Sequence, residues 1–580
     1  MNFLKKLLND KFHRVENSDD DVKSLDYPDI SLYKLFHEAV LKYPSYNALE
    51  YFGKNLTYKE LWRKVIKCAK GLKSIGVKKG DYVTICMPNT PEAIIMFYAT
   101  NMVGAVASMI HPLSSVNEIE YYIDATKSKY VLTLDLFAKK VAEAARRQEV
   151  KKVIVTSVTD GMFTLLKQGI NIYNKVSSFI NKKDIEIPSG EDIISWKDFS
   201  DLSFYYDGEY ECPGKGKDEA VILYSGGTTG KPKGVRLSNL NFNALAMQCF
   251  KMTGAKAGES VLTILPIFHG FGIGVSIHTE LTSGMKSVLI PQFKAEDFNK
   301  LIKRHRPVFL AGVPTMYEAL SNVNDNSNYL KCVKNCICGG DLLQPDLREK
   351  VNKYLEAHGS SAQIRVGYGL SESTAACILT PNFYYEEGGI GLPLIDNKVK
   401  IVKPGTDREL RENKVGEICV SGPTVMLGYL NEPEETKNTL VKDSKGEVWL
   451  HTGDLGYKDK NGFIFFKSRL KRMIVSSGYN IYPTYIEKII ASHNAVDKCV
   501  VVGIAHPYKQ NVPIANIVLK DNYTPNDALT EDIKNYCSLS IAKYSMPYKY
   551  RFVKSIPKTL LGKINYKKLE DECKKLYEKK

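Results

Sequence analysis

Tyr224–Gly234, YSGGTTGKPKG, packs four glycines, two threonines and two lysines into eleven residues. The run before and into it, AVILYSGG (220–227), is apolar and reads as a strand entering the glycines. Glycine-rich turns after strands cradle phosphates because bare backbone N–H groups can approach the anion closely. The commonest such loop reads G-x-x-x-x-G-K-[ST]. Here only three residues separate Gly226 from Gly230, and Pro232 follows Lys231 where a magnesium-binding hydroxyl would stand. The proline also argues against a long helix starting at once. The stretch therefore predicts a phosphate site whose metal ligand lies elsewhere in the chain.

Outward from this loop, short apolar runs alternate with helical patterns. LTYKELWRKVIKCAKGLKSIG (56–76) and PEAIIMFYATNMVGA (91–105) read as helices, the second with Pro91 in its first turn. DYVTICMPN (81–89), YVLTLD (130–135), KKVIVTS (151–157), SVLTILP (260–266), MKSVLIP (285–291), VFLAGVP (308–314) and NCICGG (335–340) read as strands. Such alternation predicts α/β architecture, parallel sheets covered by helices. From about Lys471 the pattern becomes a smaller, more basic α+β segment with strands at 498–504 and 513–519 and a helix at 530–541.

Residues 158–217 interrupt the alternation. Met162, Leu166, Ile170, Tyr173, Val176 and Ile180 fall at helical steps, with lysines at 167, 175, 182 and 183. Two readings stay open, a helix packed on the domain and a helix lying on a membrane surface. The part from 184 onward reads as a loop-rich surface segment.

At 580 residues the chain exceeds one domain. No run of eighteen apolar residues marks a membrane span. MNFLKKLLNDKFHRVEN lacks the unbroken apolar centre of a secretory signal, so a cytoplasmic protein is expected. Twelve scattered cysteines, with Cys332, Cys336 and Cys338 in no metal-binding spacing, read as reduced thiols. The net charge of +15 arises from 80 basic against 65 acidic residues along the whole chain. Diffuse charge of this kind suits anionic substrates or a membrane surface, and no nucleic-acid partner is expected.

Five stretches carry a resemblance in their order: YSGGTTGKPKGV, VGYGLSEST (366–374), HTGDLGY (451–457), KSRLKRMIVSSGYNIYPTYIE (467–487) and PKTLLGKI (557–564). Together they resemble the adenylate-forming superfamily of acyl-CoA synthetases and other AMP-dependent ligases, most closely its long-chain fatty acyl-CoA synthetases. The resemblance covers about residues 30–570. It implies a large N-terminal domain of stacked mixed and parallel sheets with covering helices (1–470, with the insertion at about 158–217). A small mobile C-terminal α+β domain (471–580) follows.

The resemblance also implies roles. ATP phosphates would lie against Ser225, Gly226, Gly227, Thr228, Thr229, Gly230, Lys231 and Lys233. Glu372 would hold Mg2+, which favours hard oxygen ligands. Tyr368 would stack on adenine, with Gly369 and Ser371 beside it and the Gly339, Gly340, Asp341 turn lining the adenine and acid pocket. Relatives often carry threonine at the position of Ser371 and a small residue at that of Asp341. Asp454 and Arg469 would bind the ribose. Lys563 would bridge carboxylate and α-phosphate, a cation placed between two anions that must meet; Tyr566 stands where relatives often carry arginine. Lys471 would be a hinge that withdraws Lys563 and brings Ser477, Gly478 and Tyr479 to the thioester-forming face. His269 in LPIFHGFG is either a gate for the acid or a satisfied core histidine.

The implied reaction joins a carboxylic acid to ATP as acyl-AMP, releasing pyrophosphate, and then to coenzyme A. A medium- or long-chain fatty acid is expected, because residues 158–200 resemble the insertion of long-chain enzymes. Gly270, Gly272 and Gly274 are expected to leave space beside His269 for the chain. Aryl and short acids, and an acyl-carrier protein as the thiol, remain alternatives. Peripheral contact with the inner membrane face is expected if the 158–183 stripe faces lipid.

Overall fold

The computed structural model describes residues 24–162, 187–225, 232–325, 327–381, 386, 388–476, 479–506, 508–541, 545–558 and 564–577. They form two compact units, one of residues up to Val399 with Val420–Leu450, the other of Lys400–Cys419 with residues from His451 onward.

Two sheets build the first unit. One runs in the order Gly428–Tyr429, Lys233–Ser238, Glu219–Ser225, Val106–Met109, Tyr82–Cys86, Tyr130–Leu134, Lys152–Thr156, Ile193–Ser195. Its strands from Glu219–Ser225 onward are parallel, each reached through a crossover. Strand Lys233–Ser238 turns back antiparallel on Glu219–Ser225, pairing Lys233 with Ser225 and Gly234 with Tyr224. The glycine loop thus joins two hairpin strands, and no helix follows it, as Pro232 implied. The second sheet has a parallel centre, Lys286–Leu289, Ser260–Thr263, Phe309–Gly312, Asn335–Gly339 and Ile364–Tyr368.

The helices follow local rules. Tyr58–Ser74 starts at a capping box in which the Thr57 hydroxyl accepts from Glu60 N and the Glu60 carboxylate accepts from Thr57 N. Its apolar stripe, Leu61, Val65, Cys68 and Leu72, is buried. Pro91–Met102 is different, for all of its residues are buried. A helix apolar on every side needs cover on every side. Its Phe97 and Tyr98 share a core with Leu223 and Leu132 of the first sheet and Leu289 of the second.

Residues 187–217 are more ordered than a loop-rich reading allows. Ile193–Ser195 adds a parallel edge strand, and Ser195 caps the short helix Trp196–Asp201. Phe199 is fully buried beside Gly71, where an added Cβ would come within 3.0 Å of its ring. A three-residue strand and a six-residue helix are too short to show a period, so tertiary packing decides them. The amphipathic stripe from Leu166 to Ile180 lies outside the described residues.

The second unit contains a five-stranded sheet in which Val496–His506 pairs antiparallel with Gln510–Leu519. Alternation along the first strand sends Val501 to a core with Ile486, Ile490 and Ile533, and Val500, Val502 and Ile504 to a core with Leu569 and Cys573. Helices Pro483–Ala491 and Asp527–Ser538 supply one face, and Tyr566–Tyr577 the other. All twelve cysteines are free thiols. Among the described residues, no helix is long and apolar enough to cross a membrane.

Candidate active site

In the first unit, the C-terminal ends of two parallel strands meet at Gly339 and Gly367, which are register partners. The turn after Gly339 needs glycine, because Gly340 has φ +79° and sits beside exposed Asp341. Beyond Tyr368 the chain passes so close to itself that a Cβ on Gly369 would lie 1.6 Å from the Ala375 carbonyl oxygen. Ser371–Ser373 forms one 3-10 turn, and Thr374 then takes φ 69°, ψ −50°. Ala375 N donates to Ser373 O across it at 2.8 Å, a strained γ-turn. The Thr374 hydroxyl donates to Thr424 O at 2.7 Å and pins the strained residue.

This turn presents Glu372. Its Oε1 accepts from the Tyr429 hydroxyl at 2.9 Å, and its carbonyl accepts from Met426 N at 2.9 Å. Burial, and then the neighbouring Glu372 charge, push the Tyr429 phenol well above its ordinary range. Tyr429 pairs with Val235 in the hairpin of the glycine loop, and Lys233 lies over its ring at 5.1 Å while ion-pairing with Glu435. Glu372 is thereby tied to the base of that loop. Its carboxylate is a hard oxygen donor of the kind magnesium takes, so the residue fits the ion. Ser225 ends the incoming strand; Gly226, Gly227, Thr228, Thr229, Gly230 and Lys231 lie outside the described residues.

A cavity opens at these turns. His269, Gly339, Gly340, Tyr368, Gly369, Ser371 and Thr374 line one end, and Val261, Val275, Met285, Phe309 and Ile337 continue it as apolar wall. His269 accepts from Phe271 N at Nδ1 (3.3 Å), and its carbonyl accepts from Ile273 N, starting the π-helix Phe271–His278. Phe271 and Val275 of that helix, and Thr279 directly after it, line the cavity at steps of four.

The neighbouring glycines do not make the space. A Cβ on Gly270 would lie 1.9 Å from Thr374 O, one on Gly272 2.0 Å from Pro266 O, and one on Gly274 2.8 Å from Leu245 Cδ2. They let the backbone at the start of the π-helix touch its neighbours, while Phe271 and Val275 line the cavity.

Asn89, which sequence reasoning passed over, holds the approach to His269. Its amide donates to Thr263 O and Leu265 O, and its Oδ1 accepts from Ile267 N, all at 3.0–3.1 Å. Its only sequence sign is its place in a turn before a helix. Tyr429 leaves no local sign, since its partner lies 57 positions away.

In the second unit Asp454 and Arg469 are register partners on antiparallel strands, with Arg469 Nε 3.1 Å from Asp454 Oδ1. Asp454 is 1% exposed and Arg469 half exposed. Buried Glu417 fixes the turn before Asp454 by accepting from Gly453 N and bonding His451 Nδ1, each at 3.0 Å. Glu417, Cys419 and His451 lie close enough together to hold a metal, but these bonds already account for the carboxylate. Lys471 is exposed in the single turn Leu470–Arg472. Arg472 stacks 3.9 Å from the Tyr566 ring and pairs with Glu487, so Tyr566 packs where arginine was the expected residue. Lys558 and Ile564 form an isolated antiparallel bridge. Lys563, Ser477 and Gly478 lie outside the described residues; Tyr479 opens the strand Tyr479–Ile481.

Residues 36–430 match the AMP-binding enzyme family, and residues 485–563 match the AMP-binding enzyme C-terminal domain. A long-chain-fatty-acid–CoA ligase of Bacillus subtilis is 30% identical over 573 residues, 96% of this chain and 97% of that protein. A probable 4-coumarate–CoA ligase of Dictyostelium discoideum is 29% identical over 523 residues, 87% of this chain and 88% of that one. The ATP-bound MatB of Rhodopseudomonas palustris shares the fold with a TM-score of 0.80 at 23% identity, over 94% of this chain and 99% of that one. Matched through most of its length and folded alike, the chain belongs to the AMP-binding enzymes, the adenylate-forming superfamily of acyl-CoA synthetases.

Proposed function

We propose that the chain is an AMP-forming acid–CoA ligase whose acid is a medium- or long-chain fatty acid. The observation that carries the acid is the cavity: Val261, Val275, Met285, Phe309 and Ile337 make its wall mainly apolar. The fatty-acid activity named for the Bacillus subtilis relative supports the same choice. The coumarate activity named for the Dictyostelium relative makes an aryl acid the second reading.

In the first step a carboxylate oxygen attacks the α-phosphorus of ATP. The bond from that phosphorus to the β-phosphate bridge breaks, giving acyl-AMP and pyrophosphate. Lys563 stands between the two anions and offsets their repulsion, and the glycine loop stabilises charge gathering on pyrophosphate. Magnesium, held by Glu372, would neutralise phosphate charge. Tyr368 stacks on adenine between the Gly339–Asp341 turn and Ser371, and Asp454 accepts from the ribose diol with Arg469 beside it. His269 stands at the entrance of the acid pocket.

In the second step the coenzyme A thiolate attacks the acyl carbonyl. The carbon–oxygen bond to AMP breaks and AMP leaves, the thiol proton having passed to solvent. Lys471 is the proposed pivot that withdraws Lys563 and presents Ser477, Gly478 and Tyr479 for this step.

The test is product analysis by mass spectrometry with Mg-ATP, coenzyme A and acids from acetate to oleate together with aryl acids. Acyl-CoA from fatty acids of eight or more carbons is expected. Thioester from aryl acids alone would overturn the fatty-acid reading, and acyl-AMP without thioester would move the acceptor to a carrier protein.

A further inference from the structure

The far end of the cavity is not wholly apolar. Glu280 lines it at 2% exposure, and its Oε2 has no hydrogen-bond partner among the described residues. Burial, opposed by a bond from its own backbone N–H, raises its carboxyl well above the usual carboxylate range and so favours the protonated form, which donates as well as accepts. Its backbone is firmly held: the Glu280 carbonyl accepts from Met285 N at 3.0 Å and from the Tyr58 hydroxyl at 3.1 Å. Cys249, Thr253 and Thr279 line the same cavity, so the carboxyl is not alone in offering polarity there.

The strand register gives the depth. Met285 precedes Lys286, which pairs with Ser260 at the N-terminal ends of their strands. Phe309, at the same end of its own strand, pairs with Asn335, and Gly339 lies four residues further on at the mouth. Four residues of strand span roughly 13 Å at about 3.3 Å each. A saturated chain with ~1.5 Å bonds at ~111° advances about 1.25 Å per carbon, so this depth takes about ten carbons.

An unpaired polar group inside an apolar pocket disfavours a ligand that cannot satisfy it. We propose that Glu280 is a specificity-determining residue that hydrogen-bonds a polar group on the tail of the acid, so that the preferred substrate is a medium-chain acid with a hydroxyl near its far end. This rests on the fatty-acid reading above and narrows it.

The experiment compares kcat/KM for decanoate and 10-hydroxydecanoate, read as acyl-CoA formation, in the wild type, Glu280→Gln and Glu280→Leu. The wild type is expected to favour the hydroxy acid by roughly tenfold or more, since sites built to bond a polar group reject analogues lacking it. Glu280→Gln, which still donates and accepts, keeps the preference. Glu280→Leu reverses it while its melting temperature does not fall. Should the leucine variant fail to fold, the wild-type ratio and its retention in Glu280→Gln decide. A wild type that favours decanoate, or a ratio unchanged in Glu280→Leu, would overturn this inference and leave the fatty-acid reading standing. Thioester from aryl acids and from neither decanoate nor 10-hydroxydecanoate would overturn both.

Discussion

The two ends of the cavity are built by different means. At the mouth, geometry is over-determined. Gly340 and Gly369 occupy positions where a side chain has no conformation or no space, and Thr374 is held in a strained γ-turn by its bond to Thr424. At the floor, Val261, Met285 and Phe309 come from separate segments and are ordinary apolar residues, apart from Glu280. In the proposed reaction the mouth handles phosphate and carboxylate, which every substrate presents. The floor meets the tail, where substrates differ. A rigid polar end joined to an adaptable apolar end lets one chemistry serve different acids.

Substitutions on each side sharpen the contrast. Glu372→Gln at the mouth is expected to cost most. Removing the Glu372 carboxylate, the proposed metal ligand, should lower acid-dependent ATP–pyrophosphate exchange by about 10²–10³, whichever acid is supplied. A loss confined to long acids would place Glu372 on the wrong side of the comparison. Val261→Phe at the floor should act on selection alone. It is expected to depress kcat/KM for the longest acids by roughly tenfold or more and to leave the shortest accepted acid near wild type. An equal loss for all acids would mean that the floor and the mouth are not separable.

The smallest effect on catalysis is expected behind the floor. Glu50 bonds His305 Nδ1 at 2.9 Å and Lys286 Nζ at 2.8 Å, beside Met285. The bond with His305, helped by Lys286 and opposed by burial, holds its carboxyl down at about 2 against an ordinary 4.5. A carboxyl lowered on folding stabilises the fold fully above its unfolded value and loses that contribution as pH falls through the folded one. Between pH 4.5 and 2 the wild type should therefore lose on the order of 3 kcal/mol that Glu50→Gln does not lose. Melting temperatures of both proteins across that interval measure it, and parallel curves would contradict it. Exchange activity at neutral pH should be little changed in Glu50→Gln.

What was legible in the sequence follows the same division. Strands such as Tyr82–Cys86, Tyr130–Leu134, Ser260–Thr263 and Asn335–Gly339 stand where short apolar runs were read, and the helix Tyr58–Ser74 announces itself by its stripe and its Thr57–Glu60 cap. The mouth was legible because its geometry demands glycine in fixed order, so YGLSEST and CGGD stand out as strings. The strand Ile193–Ser195 and helix Trp196–Asp201 were read as loop because neither is long enough to repeat. Gly270, Gly272 and Gly274 were read as open space, yet they are tight backbone contacts; a string shows that a side chain is absent and not what fills its place. Glu280 was invisible because HTELT carries no motif and only the fold sets Glu280 on the cavity wall. Tyr429 was equally silent, since only tertiary structure brings it to Glu372.

The most direct test of the account is acid-dependent ATP–pyrophosphate exchange over a panel of fatty and aryl acids, with Lys563→Ala beside the wild type. Exchange by the wild type with medium- and long-chain acids, lost in Lys563→Ala, is the predicted result. Exchange with aryl acids alone, or exchange that survives Lys563→Ala undiminished, would contradict it.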